Sequence, residues 1–183
     1  KVLPELDDEF AKDVSEFETL EAYKQDIERE LKEAKERERQ AYIENTVVEK
    51  AVQNAEVEIP EVMIENELDE MLFEFENRLR MQGMTLDLYY RLTGGDKDGM
   101  REQMRDDARR RVRTSLVLEA IAAAEQLTAT DDDVEEEFKR LSEQYRQPVE
   151  EVRDLFEKRG NLDVLKKDIV TRKTVRLLVD HSK

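Results

Sequence analysis

The 183-residue sequence has no cysteine, no tryptophan and a single histidine. Without cysteine it can form no disulfide, no thiolate nucleophile and no cysteine-based zinc site, which fits a reducing compartment. His181 alone cannot supply the paired histidines of a di-iron helical bundle. No set of acid, base and nucleophile stands out elsewhere. We therefore expect a protein that is not an enzyme and that needs no cofactor and no metal.

Long apolar runs are also missing. No stretch approaches the roughly 20 apolar residues of a membrane span, and no signal peptide is recognisable. The formal net charge of -16 would repel phosphate groups, which argues against nucleic acid and against an anionic membrane as partners. These features predict a soluble, cytoplasmic protein whose partners are other polypeptides.

Glycine and proline are scarce, with five and three residues, and long stretches contain neither. Such stretches predict helices, and no segment alternates with the period of two that marks a strand. The first long helix should begin after Thr19, with apolar residues every seven positions from Leu20 to Ala55. It would be about 50 Å long, whereas a compact chain of this size is only about 40 Å wide. The sequence therefore predicts an elongated all-α protein.

The remaining breakers divide the rest of the chain into shorter helices. Two helical hairpins are expected, at about 60–94 and about 130–160. Residues 116–124 are apolar on nearly all sides and should lie at the centre of the protein body. The expected helices run from Pro60 to Gly83, from Thr85 to about Leu92, from about Lys97 to Leu127, from Thr130 to about Tyr145, from Pro148 to Gly160, and from Leu162 towards the end of the chain.

All six methionines lie between Met63 and Met104, which suggests an adaptable binding surface. The alternative is that each fills a gap in a helical core. Helical phase helps to separate the two: Phe73 lies opposite the apolar stripe of its helix, and Met63 and Met81 lie about 100° away from it. That stripe consists of Ile64, Leu68, Met71, Leu72, Phe75 and Leu79.

Six arginines occur between Arg101 and Arg113, an arrangement that is often found in nucleic-acid-binding helices. The acidic net charge and the intervening Asp106 and Asp107 favour a different interpretation. We expect these arginines to form a solvated surface that pairs with nearby carboxylates.

Four segments, in order and spacing, carry a family resemblance: Leu3–Ala11, Val57–Ile64, Met81–Tyr89 and Leu116–Ile121. Together they resemble the C-terminal domain of bacterial trigger factor over essentially the whole chain. The resemblance implies a chaperone domain with an elongated helical body and two arms that form a cradle for unfolded chains. The body would comprise about 1–59, 95–129 and 161–183, the first arm about 60–94 and the second arm about 130–160.

In that family an N-terminal ribosome-docking domain with a Gly-Phe-Arg signature and a prolyl isomerase domain accompany this part. Neither is recognisable here. The resemblance therefore implies that this chain holds unfolded or nascent polypeptides without docking on ribosomes and without isomerising proline. A linker helix that covers the body in the family is also not recognisable here. We therefore expect that copies of this chain associate through the uncovered face of the body.

The expected function is ATP-independent holding of clients to prevent aggregation. The side chains expected to face clients are Met63, Phe73, Met81 and Met84 on the first arm, and Tyr145, Val149, Val152 and Phe156 on the second arm. Alternatively, the second set only packs its own hairpin. Two other classes stay open: a helical scaffold for one specific protein partner, and a structural coiled coil, which the charged centre from Lys32 to Gln40 disfavours.

Overall fold

A computed structural model of the protein describes residues 5–182. The first residues of the Leu3–Ala11 segment and both extreme ends of the expected body lie outside this range. Residues 5–182 form eight helices and no strand, which confirms the all-α prediction. The helices are α1 (Asp8–Val14), α2 (Leu20–Asn54), α3 (Glu61–Met81), α4 (Leu86–Thr93), α5 (Lys97–Ala124), α6 (Asp131–Tyr145), α7 (Val149–Arg159) and α8 (Leu162–His181).

The chain divides into two compact units, one up to Thr46 and one from Val47 onward. In the first unit, α1 was not predicted. Its N-cap, Asp7, accepts a hydrogen bond from the backbone N–H of Phe10 at 2.9 Å. The carboxylate of Asp8 then accepts from the backbone N–H of Leu20 at 2.8 Å, which ties α1 to the start of α2. Thr19 caps α2, as predicted, by accepting from Ala22 N–H at 3.2 Å.

The second unit begins and ends its helices where the sequence indicates. Thr85 and Thr130 cap α4 and α6, and Thr130 forms a reciprocal capping box with Asp133. Gly94 and Gly160 follow α4 and α7 with left-handed backbone angles, which glycine adopts without steric cost. The predicted helix boundaries at Pro60, Thr85, Pro148 and Gly160 are therefore confirmed to within a few residues.

Two buried clusters hold the second unit together. In the first, α3 packs along α5 through Ile64, Leu68, Met71 and Ala108. In the second, α6, α7 and α8 meet around Phe138. Contacts between α5 and α8 complete this unit. The second cluster consists of Val134, Phe138, Leu141, Val152, Leu165 and Ile169.

The second half of α5 is less buried than its composition predicted. Val117, Leu118 and Ala122 are buried, but the alanines at 120, 123 and 124 are exposed. The expectation of burial on nearly all sides was wrong, because α3 and α8 cover only part of the helix circumference. Among the described helices, all are too short or too polar to cross a lipid bilayer.

Five of the six arginines between 101 and 113 pair with carboxylates, as predicted, and many of these carboxylates lie on α3. Arg113 instead donates to the backbone carbonyl of Ala55 at 2.8 Å. Arg101 binds Glu65 at 2.5 Å and also contacts Asp69, while Arg105 binds the other oxygen of Glu65 at 2.7 Å. Hydrogen bonds from Arg101 and then Arg105 lower the pKa of Glu65 below its ordinary value. Only 16% of the Arg101 side chain is exposed. These contacts therefore fasten α5 to α3 and leave little of Arg101 for an external ligand.

Candidate binding surface

Two of the large apolar side chains on α3 that were predicted to face clients are mostly exposed to solvent. Phe73 is 62% exposed and Met81, the last residue of α3, is 83% exposed. Both lie off the buried stripe, as their helical phase predicts. Met63 and Met84 are half-buried. Of the four residues expected on the first arm, Phe73 and Met81 are therefore mostly exposed, and Met63 and Met84 are only partly exposed.

Charged residues surround the exposed ring of Phe73. Asp69 and Glu70 lie four and three positions before it on α3, and Glu76 lies three positions after it. Residues at these spacings are neighbours on a helix surface. Asp69 and Glu76 are paired with Arg101 and Arg80, so Phe73 is an apolar contact point in a surface that carries charges of both signs.

The six methionines do not form one continuous surface. Met71 is buried in the cluster between α3 and α5, and Met104 packs against that cluster. Met100 is half-buried, and its sulfur lies 3.8 Å from the Tyr90 hydroxyl, which donates to it. The interpretation of all six as a binding surface was therefore wrong. Met81 is exposed, and Met71 and Met104 serve the core.

The second expected set is divided in the same way. Tyr145, at the end of α6, is 59% exposed. Val152 is only 2% exposed and belongs to the cluster around Phe138, so the expectation that it faces clients was wrong. Val149 and Phe156 are half-buried against the same cluster, and the Phe156 ring meets the Phe138 ring edge-on at 5.8 Å. Most of this set therefore packs its own hairpin.

The structure also exposes apolar residues that the sequence analysis did not select. Leu88 and Leu92 lie four residues apart on α4 and share a face, while Tyr89 turns towards α3 and meets Phe75 edge-on at 5.1 Å. The four-residue spacing of Leu88 and Leu92 was the sequence signal that could have identified this shared face. Leu155 on α7 and Val62 on α3 are exposed as well.

Asp133, in the first turn of α6, has a structural role. Lys173 contacts the Asp133 carboxylate, and both the backbone N–H and the hydroxyl of Thr130 donate to it at 2.7 Å. These bonds, that of Lys173 first, lower the pKa of Asp133 to about 2. The carboxylate stays ionised at neutral pH and joins α6 to α8. Within residues 5–182, no three histidine or acidic side chains converge in a way that could hold a metal ion.

Comparison with known proteins shows the family of this chain. Residues 19–180 match the family model described as the bacterial trigger factor protein C-terminus. The chain belongs to this family. It is 52% identical to the trigger factor of Geobacillus thermodenitrificans over 183 residues, and 52% identical to that of Geobacillus kaustophilus over 184 residues. Each alignment covers 100% of this chain and 42% of the relative.

A solved trigger factor structure has the same fold. It superimposes with a TM-score of 0.58 at 26% identity and covers 99% of this chain and 44% of the other. That work concerns promiscuous substrate recognition in folding and assembly by the trigger factor chaperone. This chain spans about two fifths of the length of such relatives. Its residues match the C-terminal family, so a prolyl isomerase domain has no counterpart within them.

Proposed function

We propose that this chain is a chaperone domain that holds unfolded or nascent polypeptides in the cytoplasm without ATP and so prevents their aggregation. The main supporting observation is the exposure of Phe73 and Met81 on a helix whose other exposed residues, apart from Val62, are polar. Membership of the trigger factor C-terminal family supports the same function. The solved relative, for which promiscuous substrate recognition is described, supports it further.

The proposed first client surface comprises Phe73 and Met81, together with the partly exposed Met63 and Met84. Leu88 and Leu92 on α4 extend it. We assign this surface to the first arm, about 60–94, together with the start of α5. Arg101 and Arg105 support including the start of α5 in this arm, because they fasten it to α3. The proposed body comprises about 1–59, 95–129 and 161–183, except for the start of α5, which is assigned to the first arm.

The proposed second client surface lies on the arm formed by about 130–160. Tyr145 and Leu155 are its exposed members, and Val149 and Phe156 contribute the smaller part of their surface that the core leaves uncovered. Each apolar contact contributes modestly, at about 25 cal/mol per Å² buried. Two weak surfaces on one chain add through effective concentration, so no single strong site is needed.

The test is suppression of aggregation of two clients with unrelated sequences. Denatured citrate synthase and denatured rhodanese would each be diluted into buffer with the chain at increasing ratios, without nucleotide, and light scattering would be recorded. We expect aggregation of both clients to be suppressed at similar ratios, because exposed apolar side chains bind apolar segments of different sequence. Suppression of neither client, or of one alone, would contradict the proposal and favour a scaffold for one partner.

A further inference from the structure

The middle of α2 has no tertiary support among the described residues. None of the 35 residues of α2 is buried, whereas α3, α5, α6, α7 and α8 each bury at least one. Every residue from 28 to 40 is exposed, and Leu31 and Ala34 are the only apolar residues in this stretch. Apolar packing supplies most of the stability of helices in proteins. This stretch must obtain its stability elsewhere.

Ion pairs along the helix provide that stability. They join residues three or four positions apart, and Glu33 takes part in two of them, with Arg29 at 3.1 Å and Arg37 at 3.8 Å. Both partners of each pair are at least partly exposed, so dissolved salt screens them. The pairs are Asp26–Arg29, Glu28–Lys32, Arg29–Glu33, Glu33–Arg37, Lys35–Glu38 and Glu36–Arg39.

The local stability of this stretch is therefore both low and dependent on salt. A helical segment of about 12–15 residues is marginal in water without packing, and each surface pair contributes little. Regions with few buried contacts open locally while the rest of a protein stays folded. The stretch lies inside the first compact unit, within α2.

We propose that residues 28–40 of α2 form a salt-sensitive hinge, a charged helix that opens locally as ionic strength rises. Opening interrupts α2 and leaves the buried clusters of the second unit intact, because none of their residues lies in this stretch. Within the first unit, α2 thus changes from a continuous helix to a helix interrupted by a flexible segment, without global unfolding.

Hydrogen exchange of the whole chain, measured by mass spectrometry at low salt and at about 1 M NaCl, tests this proposal. We expect amides of residues 28–40 to be protected at low salt and to exchange about tenfold faster at high salt, since screening weakens all six pairs. Peptides from α3 and α6 serve as internal references and should change little. Protection equal to that of α3 at both salt concentrations, or no protection at low salt, would overturn the proposal.

A pair of matched variants separates the ion pairs from general effects of salt. Glu33→Gln removes two pairs, whereas Glu30→Gln makes the same change at an exposed residue that forms no ion pair among the described residues. At low salt we expect Glu33→Gln to accelerate exchange in residues 28–40 about two- to fivefold and Glu30→Gln to leave it nearly unchanged. Equal exchange in the two variants would contradict the role of the pairs.

Discussion

Replacing Phe73 and Met81 together with serine is expected to weaken suppression of client aggregation about tenfold and to leave the melting temperature within a few degrees. Both side chains are largely exposed, so neither contributes much to the folded core. Covering each with client would contribute about 1.5–3 kcal/mol if it were completely buried. A client would bury only part of each side chain, and the binding free energy from partial burial of the two corresponds to about a tenfold change in affinity. Serine and phenylalanine have similar helix propensities, so α3 should persist.

Tyr42→Ser provides the matched control for this double variant. Tyr42 is 71% exposed on α2, outside both proposed client surfaces. We expect its replacement to leave aggregation suppression unchanged. If the double variant suppressed aggregation as well as the original chain, Phe73 and Met81 would not contact clients. A fall of more than about 10 °C in its melting temperature would instead show that they support the core.

Phe138→Ala is expected to lower the free energy of unfolding by about 3–5 kcal/mol. Phe138 is 2% exposed at the centre of the cluster between α6, α7 and α8. Removing its ring would leave a cavity beside Val152 and Phe156 and would abolish the edge-on contact with the Phe156 ring. It would also remove the ring over which the Arg153 guanidinium lies at 5.5 Å. Urea unfolding followed by far-UV circular dichroism gives the measurement.

The comparison variant is Tyr145→Ala, on the same helix. Because Tyr145 is mostly exposed at the end of α6, we expect a loss below about 1 kcal/mol. Tyr145→Ala should nevertheless reduce client binding, whereas Phe138→Ala should act mainly through stability. Losses of similar size in the two variants would show that the division of this hairpin into a core side and a client side is wrong.

Most helix boundaries could be predicted because single residues determine them. Threonine caps at Thr19, Thr85 and Thr130 each use a side-chain oxygen that accepts a backbone N–H, and this chemistry is visible in the sequence. The end of α5 was predicted three residues too late. Gln126 takes a left-handed conformation with φ 54°, and Leu127 N–H bonds back to Ala122 at 2.8 Å, which closes the helix. Without a glycine at 126, the sequence gives no signal for this ending.

Side-chain exposure was predicted well where one helix decides it and poorly where several helices meet. The phase of α3 alone places Phe73 outside. Val152, in contrast, is buried because α6 and α8 both pack near it, and helical phase within α7 does not reveal how many neighbours a helix has. The partners of the α5 arginines show the same limit. That most of them pair with carboxylates was predictable. That Glu65, 36 residues from Arg101 and 40 from Arg105 along the chain, would join these two arginines was not.

The central claim is that exposed apolar side chains on α3 bind unrelated unfolded clients. Methyl NMR of the methionines tests it most directly, during titration with an unfolded, apolar-rich polypeptide that is unrelated to any native partner. The structure supplies an internal control, since Met81 is exposed and Met71 is buried between α3 and α5. We predict large, fast-exchanging shifts at Met81, smaller shifts at Met63 and Met84, and almost none at Met71. No shift at Met81 at saturating client would contradict the account.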